Sequence, residues 1–237
     1  MKSDFRKKPR NMDNGQDRIA SHPLADLGWL FRFANESLAQ DFHFSVQKAA
    51  FPWVRDLVPA YKTVAVFHNP ALIAMGKALE TLQTLKHGKT KKPNPFQGKE
   101  IIVPCCYQLG PDLDLVAEKT LLTTKEVIQL HSETIYLVYA IGFTPGFPYL
   151  GYLPEKLQGV PRLATPRVKV EAGSVGMTGV QTGIYPEEKP GGWNLVGCTP
   201  MRLVDLEKGF FAFQTGDRVK FEPITLREFR TLEKKTP

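Results

Sequence analysis

The sixty residues from Ile141 to Pro200 constrain what this chain can fold into more than any other stretch. Glycine and proline recur every few positions, yet aromatic, β-branched and polar side chains sit between them. A flexible linker would be rich in glycine and serine and poor in aromatics. Glycine permits positive φ and close backbone approach, while proline fixes φ and removes a donor. The stretch therefore predicts ordered loops between short strands that hold chosen side chains in place. Phe143, Phe147, Tyr149, Tyr185 and Trp193 supply wide, flat surfaces, with Arg162, Arg167, Gln181 and Asn194 as polar heads. That is the makeup of a binding-cleft wall.

Length and charge narrow the function classes. A chain of 237 residues holds one large or two small domains. The formal net charge is +7, but its distribution matters more. Met1 to Ala20 carries six basic and three acidic residues, and Lys86 to Lys92 adds four lysines, so the remainder is neutral. The excess falls in an expected disordered tail (1–20) and an expected linker (Lys86 to Gly98), not on a folded face with interleaved aromatics. Nucleic-acid binding is therefore not expected. No apolar run approaches the roughly 20 residues needed to cross a bilayer, and no apolar segment follows the charged N-terminus as in a secretory signal. The expected location is the cytoplasm.

Autonomous catalytic machinery is hard to find. Gly88-Lys89-Thr90 ends like a phosphate loop, but Gln83 stands where the first glycine should be and the segment follows a helical pattern. Ala172-Gly173-Ser174-Val175-Gly176 approaches a serine nucleophile elbow, yet no histidine lies after His131, so Ser174 reads as a turn or cleft residue. His22, His43, His68, His87 and His131 lack ligand spacing and read as surface or satisfied core residues, so no protein-bound metal is expected. Cys105, Cys106 and Cys198 make neither a disulfide framework nor a zinc pattern, and adjacent Cys105 and Cys106 on a strand would face opposite ways. Arg167 has two readings: a fork held ready for a carboxylate or phosphate, or a brace on loop carbonyls. Arg162 leans to the brace. Gln181, Thr182 and Asn194 could orient an amide or lactam, and Trp193 is a stacking wall or barrel core.

Read in order, Trp29 to Phe33 predicts a first strand and Asn35-Glu36-Ser37 a helix start, with Leu38, Phe42, Val46 and Ala49 on one face and Pro52 ending it. Pro59 marks a break, Thr63 to Phe67 a strand, and Asn69-Pro70 the cap and first position of a second helix. Residues 21–92 thus predict a small α+β domain. In residues 93–237, Glu100 to Val103 predicts a strand, Gly110-Pro111-Asp112-Leu113 opens a short helix, and Thr123 to Glu126 is a capping box. Ile135 to Ile141 is the strongest strand, and Met201 to Val204, Phe210 to Gln214 and Arg218 to Phe221 follow as short ones. Many short strands with few helices indicate a closed or nearly closed β-barrel.

Five ordered blocks carry a family resemblance: GFTPGFPYLG from Gly142, PRLATPR from Pro161, AGSVG from Ala172, QTGIYP from Gln181 and PGGWNLVG from Pro190. Together they resemble the B component of bacterial 5-oxoprolinase, whose family includes the sporulation-kinase inhibitor KipI and a carboxyltransferase subdomain of urea carboxylase. The resemblance implies a ferredoxin-like α+β domain followed by a cyclophilin-like barrel. It implies a small-molecule substrate, A-type and C-type partner subunits, and ATP used by the complex to open 5-oxoproline to glutamate. In that scheme Arg167 holds a carboxylate or phosphate, and Gln181 and Asn194 orient the lactam. The rival readings are a KipI-like inhibitor docking on a sensor histidine kinase, and a carboxyltransferase component serving biotin. Two departures stand out: Phe51-Pro52-Trp53 fills a shortened connector before Leu57 to Tyr61, and Tyr107-Gln108-Leu109 replaces a glycine-rich step.

Overall fold

The computed structural model describes residues 20–85 and 98–234; nearly all of the expected tail and linker lie outside them. The first stretch holds β1 (Ala20–Leu24), β2 (Gly28–Arg32), α1 (Glu36–Ala49), β3 (Val54–Ala60), β4 (Thr63–His68) and α2 (Met75–Gln83). Its antiparallel sheet runs β1-β2-β4-β3. That is the ferredoxin-like βαββαβ pattern with its last strand moved to the front. Phe31, Val64 and Val66 of the sheet face Ala39, Phe42 and Val46 of α1 and Ala78 and Leu82 of α2, forming one buried core. Asn35 caps α1 by accepting from the Leu38 amide at 2.9 Å.

Local structure corrects four expectations here. Ala20, assigned to the tail, opens β1. Pro59, read as a break, lies inside β3, which is tolerable because β3 is an edge strand and needs no amide there. Asn69-Pro70 starts a turn, with Asn69 Oδ1 accepting from the Ala71 amide at 3.1 Å, and the helix begins only at Met75. The WLFRF strand is preceded by another that pairs with it, so it is an interior strand rather than the first.

The second stretch is the barrel. Its strands are β5 (Glu100–Cys105), β6 (Ile135–Ile141), β7 (Pro148–Gly151), β8 (Arg167–Val170), β9 (Ser174–Thr178), β10 (Gln181–Ile184), β11 (Lys189–Gly191), β12 (Asn194–Cys198), β13 (Val204–Asp205), β14 (Phe210–Phe211) and β15 (Arg218–Pro223). Seven of them form one sheet in the order β12-β9-β10-β7-β6-β15-β5. Its two edges meet where Cys106 and Cys198 pair, so the sheet is nearly closed. Helices α3 (Leu113–Thr120) and α4 (Thr124–Glu133) plug the barrel, and α5 (Leu226–Glu233) follows β15. The capping box at Thr123 and Glu126 is present, and an unanticipated second one at Thr225 and Glu228 starts α5. The strands expected over Met201–Val204 and Phe210–Gln214 shrink to the two-residue β13 and β14, which pair only with each other.

Tyrosines join the two halves. Tyr61, at φ 53° in the β3–β4 turn, stacks on Tyr139 with centroids 5.1 Å apart. Tyr152 donates to Glu36 of α1 at 2.7 Å, and the Gln181 amide donates to the Tyr61 hydroxyl.

Backbone contact is tightest where Gly110 crosses β12. A Cβ built on Gly110 would lie 2.1 Å from the Val196 carbonyl carbon. Gly110→Ala is therefore expected to destabilise the chain by about 3 kcal/mol, at the upper end for overpacking. Urea unfolding checks this, and Gly76→Ala, where a Cβ meets nothing within 4 Å, serves as the control.

Candidate functional site

The glycine–proline stretch brings its aromatic residues together. Phe147, Tyr185, Trp193, Leu195 and Val170 form a buried cluster with Tyr149 packed against it, separate from the barrel interior. The rings meet edge to face: Phe147 lies 5.2 Å from Tyr185 and 5.5 Å from Trp193, and Trp193 lies 5.9 Å from Tyr149. Such pairs prefer this arrangement because ring edges are positive and faces negative. Gly191 of β11 leaves room for Tyr185, since a Cβ there would sit 2.3 Å from the Tyr185 hydroxyl. Phe143 is the outward member. Held at φ 69° by the Gly142–Phe147 turn, it is 61% exposed and contacts both Phe147 and Tyr185. Phe147, expected as cleft surface, is itself buried.

The polar heads do not converge as a group. Gln181 is spent on Tyr61 at the junction with the N-terminal half. Asn194 is fully buried and its amide donates to the carbonyls of Pro161 at 2.9 Å and Met177 at 3.2 Å, which clamps the 161–166 loop to β9. Thr182 is fully buried inside the barrel. Ser174 is buried at the start of β9, where its carbonyl accepts from the Tyr185 amide at 2.9 Å.

Arg167 is braced, though not by loop carbonyls. Its Nη2 donates to Asp112 Oδ1 at 2.7 Å, and Asp112 Oδ2 accepts from the Leu195 amide at 2.7 Å. Arg167 Nη1 is buried and has no partner. Arg162 is exposed, and its charge reaches the phenols of Tyr149 and Tyr185. Burial pushes both phenols up; Arg162 pulls Tyr149 part of the way back, and a hydrogen bond with the Trp193 backbone, then Arg162, do the same for Tyr185. Two guanidinium groups thus approach the same aromatic wall. Two surface cavities, about 720 Å3 beside α5 and about 440 Å3 between α1 and β3, both lie away from it.

Thr182 belongs to a buried relay of which sequence spacing gives no hint. Tyr107 Oη lies 2.7 Å from His131 Nδ1, and His131 Nε2 lies 3.0 Å from Thr182 Oγ1. Thr182 donates its only hydroxyl hydrogen to the Gly176 carbonyl at 3.0 Å, so it must accept from His131. His131 therefore carries its proton on Nε2 and accepts from Tyr107 at Nδ1. Complete burial lowers its pKa to about 3. Among the described residues no three His, Cys, Asp or Glu side chains group as a metal site, and no helix is long and apolar enough to cross a membrane.

The relay makes stability depend on pH. The folded state depresses the His131 pKa below its ordinary value of 6.5, so its contribution is intact above 6.5 and is lost as pH falls towards 3. His131→Gln keeps one acceptor and one donor at the same places without titrating. Between pH 6 and 4 the wild type is expected to lose about 1.4 kcal/mol more per pH unit than His131→Gln. Urea unfolding at several pH values checks this; His43, also lowered by burial, is common to both proteins. Parallel curves would show that His131 is not the group responsible.

Comparison with known proteins agrees with this architecture. Residues 20–212 match the family "Carboxyltransferase domain, subdomain C and D". The chain is 52% identical to the 5-oxoprolinase B component of Haemophilus influenzae over 133 residues, spanning 55% of this chain and 62% of that one. It is 30% identical to the corresponding B component of Bacillus subtilis across 92% of this chain and 98% of the relative. The crystal structure of TTHA0988 superposes with a TM-score of 0.72 at 34% identity, covering 83% of this chain and 40% of that one. With half its length and more matched in this way, the chain belongs to the family of the 5-oxoprolinase B component, built on the carboxyltransferase domain.

Proposed function

We propose that this chain is the B component of an ATP-dependent 5-oxoprolinase and contributes half of the site that opens the 5-oxoproline lactam to glutamate. The observation that carries this reading is the pair of guanidinium groups at the aromatic wall: exposed Arg162, and Arg167 with Nη1 unspent behind it. A planar guanidinium suits a carboxylate, and the substrate is a small ring bearing one. In this reading Arg162 takes the carboxylate, Arg167 is held in place by Asp112, and Phe143 and Tyr149 flank the ring.

The lactam amide would be oriented from elsewhere, because Gln181 is taken by Tyr61 and Asn194 is fully buried, its amide nitrogen holding the Pro161 and Met177 carbonyls. A C-type subunit facing this wall would supply those groups, with an A-type subunit completing the complex. The rim favours such a partner: Phe143 is exposed, and the β13–β14 hairpin beside it exposes Leu206, Phe210 and Phe211. In this reading ATP is used by the complex away from the wall. A kinase-inhibitor reading rests on the same exposed rim; it would depend on Phe143 and Phe211 and be indifferent to Arg162.

Arg162→Ala is expected to raise KM for 5-oxoproline roughly ten- to a hundred-fold in the reconstituted complex, the worth of one charge-assisted hydrogen bond. Assembly of the complex, followed by size-exclusion chromatography, should be unchanged. Asn194→Ala should instead lower thermal stability, since it removes a buried clamp. An Arg162→Ala complex with wild-type KM would defeat the assignment of this wall as the carboxylate site.

A further inference from the structure

Among the described residues, one rung bridges the two edges of the barrel sheet. Its edge strands β5 and β12 come together only at Cys106 and Cys198, which exchange both backbone hydrogen bonds at 2.8 and 3.1 Å. Residues that exchange both bonds in an antiparallel pair are directly opposed, with side chains on one face and Cα atoms about 5.5 Å apart. That separation lies within the roughly 4.4–6.8 Å spanned by disulfides. Cys105 alternates to the other face, where its sulfur lies 2.6 Å from the position of a Gly197 Cβ.

The two opposed thiols differ in access. Cys198 is partly exposed, and its sulfur lies 3.9 Å from the Ala172 carbonyl oxygen and 3.8 Å from that of Thr199. Cys106 is fully buried. Cys198 is thus the thiol an external oxidant reaches first, and Cys106, opposed to it, is placed to resolve the mixed disulfide.

We propose that Cys106 and Cys198 form a thiol–disulfide switch across the barrel seam, oxidised by a low-molecular-weight disulfide. The Cys198 thiolate attacks one sulfur of the oxidant, the oxidant's S–S bond breaks, and one thiolate leaves. Cys106 then gives up its proton and attacks the Cys198 sulfur of the mixed disulfide, expelling the second thiolate. Two cysteine thiols are oxidised by two electrons in all, and one small disulfide is reduced to two thiols. Burial, with Cys106, Glu233 and Glu171 nearby, holds the Cys198 thiol up at about 11. The pair therefore exchanges slowly at neutral pH and responds to sustained oxidation. The bond would close a loop of roughly ninety residues and fix the end of β12, whose other end carries Asn194 beneath the aromatic wall. This switch does not depend on the substrate proposed for that wall.

The test uses the full chain incubated with millimolar oxidised glutathione, acid-quenched, blocked with N-ethylmaleimide and mapped by peptide mass spectrometry. The expected product is a Cys106–Cys198 linkage with Cys105 left as the alkylated thiol. Cys105→Ser should give the same linkage. Cys106→Ser should stall as a glutathione adduct on Cys198, and Cys198→Ser should give neither product. Oxidation should also raise the thermal midpoint of the wild type by several degrees and leave Cys198→Ser unchanged. Any of three results in the wild type would overturn the proposal: a persistent glutathione adduct on Cys198, a Cys105–Cys106 linkage, or three thiols still open to alkylation.

Discussion

The Asp112 carboxylate ties together the parts of this barrel that hold the aromatic cluster in place. One oxygen takes the Arg167 guanidinium and the other takes the Leu195 amide, both at 2.7 Å, and the side chain is nearly buried. Three segments distant in sequence thereby share one anion: the turn entering α3, the start of β8, and β12. A buried carboxylate with both oxygens hydrogen-bonded avoids the cost of stranding a polar group away from water. The cost of removing it is correspondingly steep, because Arg167 would be left half-buried with neither of its terminal nitrogens paired. The Asp112 carboxylate is thus the fixed point from which Arg167 reaches the aromatic wall and β12 reaches the seam.

This dependence explains which parts of the sequence are legible. Aromatic residues declare their role because the wall is made of surface area, and area needs only neighbours of the same kind. Phe147, Tyr149, Tyr185 and Trp193 fall into one cluster as their glycine–proline setting implies. Polar heads are not legible, since a donor's meaning lies in which acceptor faces it. Gln181 and Asn194 look alike in sequence, yet one reaches Tyr61 and the other the Pro161 carbonyl. Asp112 reads as an ordinary helix opener in Gly110-Pro111-Asp112-Leu113, whereas its carboxylate leaves the cap and serves residues more than fifty positions away.

Local rules fail only where they go unapplied or are overridden. The Thr123 and Glu126 box is readable from four residues because both partners lie within one turn. Thr225 and Glu228 carry the same signal, and α5 is findable by it. Asn69-Pro70 is a fair helix start on propensity, but the Asn69 side chain closes a turn on Ala71 and delays the helix to Met75. The strand β1 carries no alternation to announce it; it exists because β2 needs a partner on its open edge.

The interior relay and the wall divide the barrel between two kinds of constraint. On one side, Tyr107, His131, Thr182 and the Gly176 carbonyl form a closed chain in which each donor has one acceptor. That chain links the turn after β5 to α4 and then to β10 and β9, so these elements cannot slide against one another without stranding a buried polar group. On the other side, the aromatic cluster is closely packed and largely buried, with the exposed guanidinium of Arg162 at its edge. Fixed elements thus lie beneath the cluster, and Phe143 and Arg162 stand exposed at its edge. Such a face keeps its shape while waiting for groups it does not itself possess, which is what the proposed half-site requires.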